Sequence, residues 1–338
     1  MAATRVLVVD DSLTMRALIS GALERIPNVE VVGLADGADE ARALSAQLNP
    51  DVITLDVEMP GMSGLEYLAE VMATRPMPVI MFSTKTQAGA ADSIEALRLG
   101  AIDCFPKPRV ATPAELDKII VKLSKRIKSA KNAVLPTARK AASPPAIVPV
   151  DWNGRVIAIG ADASSTRAMF DLFAAFPADC PPTLVVQHLG PDLAATLVDT
   201  LAGAIAPRVV LAQDGMALEQ GCIYLAPPGD AHVVVDGWPQ ARVRMLPRDP
   251  VAGERPSISI LFASLAKAAG ADAVALLMGA DGEDGDAGVR AVRAAGAYNI
   301  VPAEVRADGY MLNRRMASQS VSPDALARQL LKLCDRAG

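Results

Sequence analysis

Aromatic residues are scarce in this chain of 338 residues, of which Phe, Trp and Tyr together make up 4%. Buried parallel strands are aliphatic and their covering helices are rich in small residues. The shortage, beside abundant Ala, Val and Leu, therefore favours layered α/β domains. One ordinary core rarely accommodates a chain of this length, which predicts two domains.

Long apolar runs are also lacking. No stretch reaches the roughly 18–20 apolar residues that cross a bilayer, so we expect no membrane insertion.

Cysteines are few and the net charge is small. The chain has no CxxC pair and no signal-peptide pattern, which is typical of reduced thiols in a cytoplasmic protein. The net charge of −5 gives no electrostatic bias toward nucleic acid. Basic residues at 122–131 lack interleaved aromatics and are interpreted as a solvated helix face. The widely spaced cysteines are Cys104, Cys180, Cys222 and Cys334.

A proline-rich segment divides the chain. Strand-like apolar runs alternate with helical patterns over residues 5–128, and the alternation resumes at Val156. The first half has five βα units, which predict a doubly wound parallel sheet, and the second half predicts another α/β domain. We place the domains at residues 1–122 and 151–338, with a proline-stiffened linker at 123–150.

Polar residues follow four strands of the first domain. Asp10 and Asp11 end the first strand, and Asp56 ends the third. Sites in open parallel sheets form outside the carboxyl ends of the strands, so these carboxylates predict an oxygen-rich pocket that suits Mg²⁺. Ser83 and Lys107 follow the fourth and fifth strands and bring a hydroxyl and an ammonium to the same edge. Such a pocket can accept a phosphoryl group on Asp56.

This constellation resembles the CheY-like receiver family, which has a flavodoxin-like fold, over the whole first domain. The resemblance implies that Asp56 is the phospho-acceptor and that a CheA-like histidine kinase is the phosphodonor. It also implies that Ser83 is the switch hydroxyl and Lys107 the phosphate-sensing cation, while Cys104 replaces a common aromatic reporter. The implied Mg²⁺ ligands are Asp10, Asp11, Asp56 and the backbone carbonyl of Glu58.

The second domain carries motifs of another family. They lie at residues 156–161, 185–188, 224–229 with His232, 255–257 and 284–288. These resemble the CheB-type protein-glutamate methylesterases, whose domain is Rossmann-like and whose domain order matches this chain. The resemblance implies a Ser–His–Asp triad, without a cofactor. It would hydrolyse glutamyl methyl esters of methyl-accepting chemoreceptors and deamidate glutamines.

The triad's nucleophile position falls on Asp162, where the family has serine. His188 matches the general base, and Asp284 matches the carboxylate that orients it. A carboxylate has no proton to give, and Asp162 near His188 would favour the imidazolium. Ser165, three residues on, is a candidate substitute nucleophile if a helix has begun there, whereas Ser164 is expected to face elsewhere.

Two functions remain open. One is a phosphorylation-activated methylesterase and glutaminase. The other is a catalytically impaired adaptor that binds receptor or signalling partner under receiver control. Residues 279–282 read Gly-Ala-Asp-Gly in place of the family's Gly-Met-Gly oxyanion loop, which favours impairment. The acidic loop at 281–286 lacks EF-hand spacing and is not expected to bind a metal, and His232 is the weaker pocket candidate of the two histidines.

Overall fold

The computed structural model of the protein describes residues 3–84, 86–107, 150–190, 192–279, 284–302, 310–314 and 317–337. It also describes the helical residues Ile120, Val121, Leu123, Ser124, Arg126, Ile127 and Ala130. The chain forms two compact units, residues 1–141 and 142–338, which are described separately. Within the described residues, no helix is long and apolar enough to cross a bilayer. All four cysteines are free thiols.

The first unit is a parallel sheet of five strands in the order β2-β1-β3-β4-β5. This order confirms the doubly wound α/β fold that the alternating pattern predicts. Strands β3 and β4 are wholly buried, as aliphatic strands covered on both faces must be. The strands are β1 (Thr4–Val9), β2 (Val29–Ala35), β3 (Val52–Asp56), β4 (Val79–Ser83) and β5 (Asp103–Pro106). The helices between them are α1 (Leu13–Glu24), α2 (Ala38–Leu48), α3 (Gly64–Thr74) and α4 (Gln87–Leu99).

Hydroxyl side chains start three of these helices at the carboxyl edge of the sheet. Ser12, Ser63 and Thr86 are the N-caps of α1, α3 and α4, and each accepts a backbone N–H of its first turn. A side-chain oxygen at this position satisfies an otherwise unpaired donor. The helices therefore begin shortly after the strands end. The predicted site residues Asp10, Asp11 and Asp56 lie at these strand-to-helix junctions.

The first unit extends beyond the boundary at residue 122. Leu123, Ile127 and Ala130 are at most 1% exposed and pack in one apolar cluster with Val6 of β1 and Leu23 of α1. A linker would leave such side chains in water, so the linker predicted at 123–150 begins too early. The basic residues predicted a solvated helix face here, and what they concealed is that the opposite face of this helix is apolar and buried.

The second unit is built on a sheet of eight strands in the order β15-β14-β13-β12-β6-β7-β9-β8. The six strands from β13 to β8 are parallel, and β14 and β15 add an antiparallel edge. The strands are β6 (Ile157–Asp162), β7 (Thr183–His188), β8 (Arg208–Leu211), β9 (Cys222–Leu225), β12 (Val274–Met278), β13 (Tyr298–Pro302), β14 (Tyr310–Arg314) and β15 (Ala317–Val321). A separate antiparallel pair consists of β10 (His232–Asp236) and β11 (Arg242–Leu246).

The central strand β6 places the candidate site of the second unit. It lies between β7 and β12, so the strand order runs outward from β6 to both sides. In open parallel sheets, such a reversal opens a crevice at the carboxyl ends of the strands. At Gly160 a Cβ atom would lie 2.2 Å from Cγ2 of Ile258, so only glycine lets the start of α7 approach β6 this closely. The helices are α5 (Thr166–Ala174), α6 (Ala194–Ala204), α7 (Ile258–Ala269), α8 (Asp286–Ala294) and α9 (Leu326–Leu333).

Replacing Ile127 with alanine tests the extended boundary of the first unit. Because Ile127 is fully buried, we expect Ile127→Ala to lower the free energy of unfolding of this unit by about 2–4 kcal/mol. The control is Val121→Ala, at a side chain that is 59% exposed, with an expected loss under about 0.5 kcal/mol. Urea unfolding of the full chain by circular dichroism measures both. Tryptophan fluorescence separately follows the second unit, which holds both tryptophans. Equal losses would contradict the packing.

Candidate phospho-acceptor and esterase sites

The first unit gathers three carboxylates at one edge of its sheet. Asp10 and Asp11 follow β1, Asp56 ends β3, and oxygens of the three side chains lie within 4.8 Å of one another. Asp10 and Asp56 are fully buried, whereas Asp11 is exposed. The Oδ2 atom of Asp10 is buried and makes no hydrogen bond, and the ammonium of Lys107 lies 3.5 Å from it. One ammonium faces three carboxylates, so the cluster has the character of a site for a hard cation.

Lys107 supplies the positive charge at this edge. Its Nζ lies 2.5 Å from Oδ2 of Asp56 and 3.5 Å from Oδ2 of Asp10. The backbone N–H of Glu58 donates to Oδ1 of Asp56, at 3.2 Å. Burial raises the pKa of Asp56 to about 6, although the ammonium of Lys107 opposes that rise, and the charge of Asp10 adds to it. Asp56 is thus a desolvated carboxylate beside a single cation, a state that additional positive charge would relieve.

The predicted switch hydroxyl lies at the same edge but is bound to α4. Ser83 ends β4, is buried, and donates its hydroxyl to the carbonyl of Gly89 at 2.9 Å. Cys104 of β5 also contacts this helix, because its Sγ donates to the carbonyl of Ser93 at 3.4 Å. Burial raises the pKa of the Cys104 thiol. Two strands of the sheet are thereby tied to the same helix.

In the second unit, one histidine is held by two acceptors. His188 ends β7, and its Nε2 lies 3.4 Å from Oδ2 of Asp284 and 3.2 Å from the carbonyl of Pro256. A carboxylate and a carbonyl can only accept, so Nε2 carries a proton. In the neutral ring Nδ1 then carries the lone pair, and it has no partner among the residues that the structure describes. This is the arrangement in which an imidazole can act as a base.

Asp284 is held by the start of α7. The backbone N–H groups of Ile258 and Ser259 donate to its carboxylate at 2.7 and 2.9 Å, and the hydroxyl of Ser257 donates at 2.8 Å. Burial opposes the charge, but the bond with His188 and the donors from Ser259 and Ser257 outweigh it and lower the pKa of Asp284 to about 2. The positive end of the helix dipole acts in the same direction.

His188 is drawn toward its charged form by groups other than Asp162. Burial disfavours the imidazolium, but the bond to Asp284, the charges of Glu254 and Asp284, and the carbonyl of Pro256 outweigh it and raise the pKa of His188. Within the described residues, no ion pair joins Asp162 and His188. The direction of the pKa change is the one predicted, but the charges that cause it belong to Asp284 and Glu254 rather than to Asp162.

Asp162 serves instead as the cap of the next turn. It lies opposite His188 in the ladder between β6 and β7, but its Oδ1 accepts the hydroxyls of Ser164 and Ser165 at 2.7 and 2.9 Å and the N–H of Ser165 at 3.1 Å. Ser164 was expected to face elsewhere. The tight 3₁₀ turn over Ala163–Ser165 brings it back onto the same carboxylate. Oδ2 of Asp162 is buried without a partner and packs against Gly279, where a Cβ would lie 2.7 Å away.

Known protein families match both units of the chain. The family described as CheB methylesterase matches residues 157–330, and the response regulator receiver domain matches residues 6–120. The chain belongs to the CheB methylesterase family. The protein-glutamate methylesterase/protein-glutamine glutaminase of Agrobacterium fabrum is 44% identical, covering 88% of this chain and 86% of that protein. A relative of the same name from Rhizobium etli is 39% identical, covering 98% of this chain and 97% of that protein.

The chain is thus a chemotaxis response regulator of CheB type, with a receiver domain and a methylesterase domain. Both domain predictions from the motifs are confirmed. Residues 280–283, which carry most of the change in the oxyanion loop and the first acids of the loop at 281–286, lie outside the described part of the chain.

The sequence motifs include Gln187, His232 and Ser257, but they did not predict the bonds that these residues make around the esterase site. The amide of Gln187 donates to the carbonyl of Asp162 at 2.6 Å, and Ser257 bonds to Asp284. His232, the weaker pocket candidate, is fully buried with both ring nitrogens bonded. Ser257 was visible as a hydroxyl before an apolar helical run, which is an N-cap signal, but its bond to a residue 27 positions away was not.

The low pKa of Asp284 makes the second unit's stability depend on pH. An acid whose pKa is depressed by folding stabilises above its ordinary value, here 3.8, and that stability is lost as pH falls through the folded value of about 2. The advantage of the native chain over Asp284→Asn should therefore shrink by roughly 2 kcal/mol between pH 5 and pH 2. Urea unfolding by tryptophan fluorescence measures it. Asp236→Asn, at an exposed acid, is the control and should show no such trend. A constant difference for Asp284→Asn would refute the linkage.

Proposed function

We propose that this chain is a phosphorylation-controlled CheB-type regulator that engages chemoreceptors through an esterase domain with impaired hydrolysis. The observation that carries the proposal is the position of the Asp162 carboxylate. It binds the hydroxyls of both nearby serines, and by the resemblance of the motif at residues 156–161 it would occupy the family's nucleophile position. Among the described residues, no hydroxyl is hydrogen-bonded to His188.

The receiver half of the proposal rests on the acidic cluster. Asp10, Asp11 and Asp56 would hold Mg²⁺, with the backbone carbonyl of Glu58. Oδ2 of Asp10 is buried without a hydrogen bond although Lys107 lies 3.5 Å away, which supports this assignment. The ion supplies positive charge for phosphate oxygens. Asp56 would then accept a phosphoryl group from a CheA-like histidine kinase. Lys107, now paired with Asp56, is placed to pair with the new phosphate.

Phosphorylation is tested with a small phosphodonor, acetyl phosphate, on the full chain. We expect incorporation that needs Mg²⁺ and is abolished in Asp56→Asn, because the amide is not a nucleophile toward phosphorus. Asp39→Asn is the matched control, since its side chain is 98% exposed on α2. It should incorporate phosphate as the native chain does. Equal incorporation in Asp56→Asn would remove Asp56 as the acceptor.

The esterase half follows from what the triad needs. In acyl transfer, the imidazole takes the proton of a hydroxyl as its oxygen attacks the carbonyl carbon. Asp162 offers neither that proton nor a stable acyl product, since attack by a carboxylate gives an anhydride. Sites that lose the nucleophile keep only about 10³–10⁴-fold acceleration over water. His188 and Asp284 would remain as groups that bind the receptor's glutamyl side chains.

An active hydrolase is the second candidate, and one observation favours it. The pair of His188 and Asp284 is held in place by buried donors although, among the described residues, no hydroxyl bonds to His188. Ser165 would then be the substitute nucleophile, after its hydroxyl leaves Asp162 and turns to His188. The relatives' printed activity, glutamate methylesterase and glutamine glutaminase, would then be this chain's reaction.

Methanol release from methylated chemoreceptor separates the two candidates. We expect near-background release by the native chain and a gain of at least about 10²-fold in Asp162→Ser, which restores a hydroxyl at the family position. Asp162→Asn is the matched control, because it removes the charge without supplying a nucleophile, and should gain nothing. Adding His188→Ala to Asp162→Ser should abolish the gain. Native release that Ser165→Ala or His188→Ala abolishes would instead establish the second candidate.

A further inference from the structure

One peptide group lies between the chain's two histidines. The carbonyl of Pro256 faces His188, with 3.2 Å between its oxygen and Nε2. The N–H of Ser257 belongs to the same peptide bond and donates to Nδ1 of His232 at 3.0 Å. His232 starts β10 and has no exposed surface. His188 and His232 thus contact opposite ends of a single amide dipole.

The partners of His232 fix its proton. Its Nε2 lies 2.9 Å from the carbonyl of Asp249, which can only accept, so Nε2 carries the hydrogen. Its Nδ1 receives the Ser257 N–H, which can only donate, so Nδ1 carries the lone pair. The ring is therefore neutral. A protonated His232 would direct one N–H at another, and the peptide could not keep this orientation.

The orientation of this peptide bears directly on His188. With the Ser257 N–H held by His232, the Pro256 carbonyl must point the other way, toward Nε2 of His188. That carbonyl and Asp284 together keep the His188 proton on Nε2, which leaves Nδ1 as the basic nitrogen. A second link runs through the same residue, because the Ser257 hydroxyl donates to Asp284 at 2.8 Å.

We propose that His232 is a positioning residue that sets the tautomer of His188 through the peptide bond between Pro256 and Ser257. The inference deepens the proposed site and rests on the pairing of His188 with Asp284. It holds whether or not the site hydrolyses esters. A histidine that merely filled the core would affect the free energy of unfolding, but not the position of the His188 proton.

Nitrogen NMR of the full chain labelled with ¹⁵N-histidine measures that proton directly. Only two histidines contribute signals, and His188→Ala assigns them. For the native chain we expect both neutral rings as Nε2–H tautomers. His188 titrates among Asp284, Glu254, Asp162 and Arg255, so the full pH series is recorded for each variant.

Two substitutions of His232 separate positioning from packing. His232→Asn retains an acceptor for the Ser257 N–H, and we expect His188 to remain a single Nε2–H tautomer. His232→Leu has no acceptor, so the carbonyl is released. The His188 signals should then shift toward the averaged values of exchanging tautomers, and its pKa should fall. Circular dichroism and tryptophan fluorescence establish that each variant is folded.

The proposal is overturned by either of two results. One is a folded His232→Leu whose His188 spectrum and pKa match the native ones. The other needs no variant: a native chain in which neutral His188 carries its proton on Nδ1. Neither depends on methanol release, so failure of the impaired-hydrolysis proposal and failure of this one are distinguishable.

Discussion

Hydrogen bonding between parallel strands brings the last residues of neighbouring strands side by side, and both units build their sites on this constraint. In the receiver, Asp10 and Asp56 meet because β1 and β3 are neighbours. In the esterase domain, Asp162 and His188 are register partners because β6 pairs with β7. The backbone thus delivers each functional residue to its edge, and the side chain then finds its partners there.

A buried carboxylate has a raised pKa in the first unit and a lowered pKa in the second. In the receiver, Asp56 is a buried carboxylate whose main partner is one lysine, so its charge is poorly stabilised and favours further cations. In the esterase domain, Asp284 accepts two backbone N–H groups and a hydroxyl at the start of α7, so its charge is strongly stabilised. The number of donors, rather than burial alone, separates the raised pKa of Asp56 from the lowered pKa of Asp284.

Asp162 stabilises the turn that follows it by binding hydroxyls that ester hydrolysis would need. A carboxylate is among the best N-cap groups, and such caps contribute about 0.5–2 kcal/mol to stability. Here it accepts three donors from Ser164 and Ser165. The same bonds hold both hydroxyls on Asp162 rather than on His188. Under the proposed function, stability of the turn and supply of a nucleophile therefore compete for one position.

The sequence alone determined the two α/β domains, their family, and which polar residues lie at or just beyond the ends of the strands, because strand periodicity and strand-end motifs are local features of the chain. It misplaced the end of the first unit, where basic residues masked a buried helical face at Leu123 and Ile127. Only the tertiary structure decided where Asp162 and Ser164 point, which donors surround Asp284, and that His232 bonds to Ser257. These contacts join residues up to 27 positions apart or depend on one tight turn, and no local pattern encodes them.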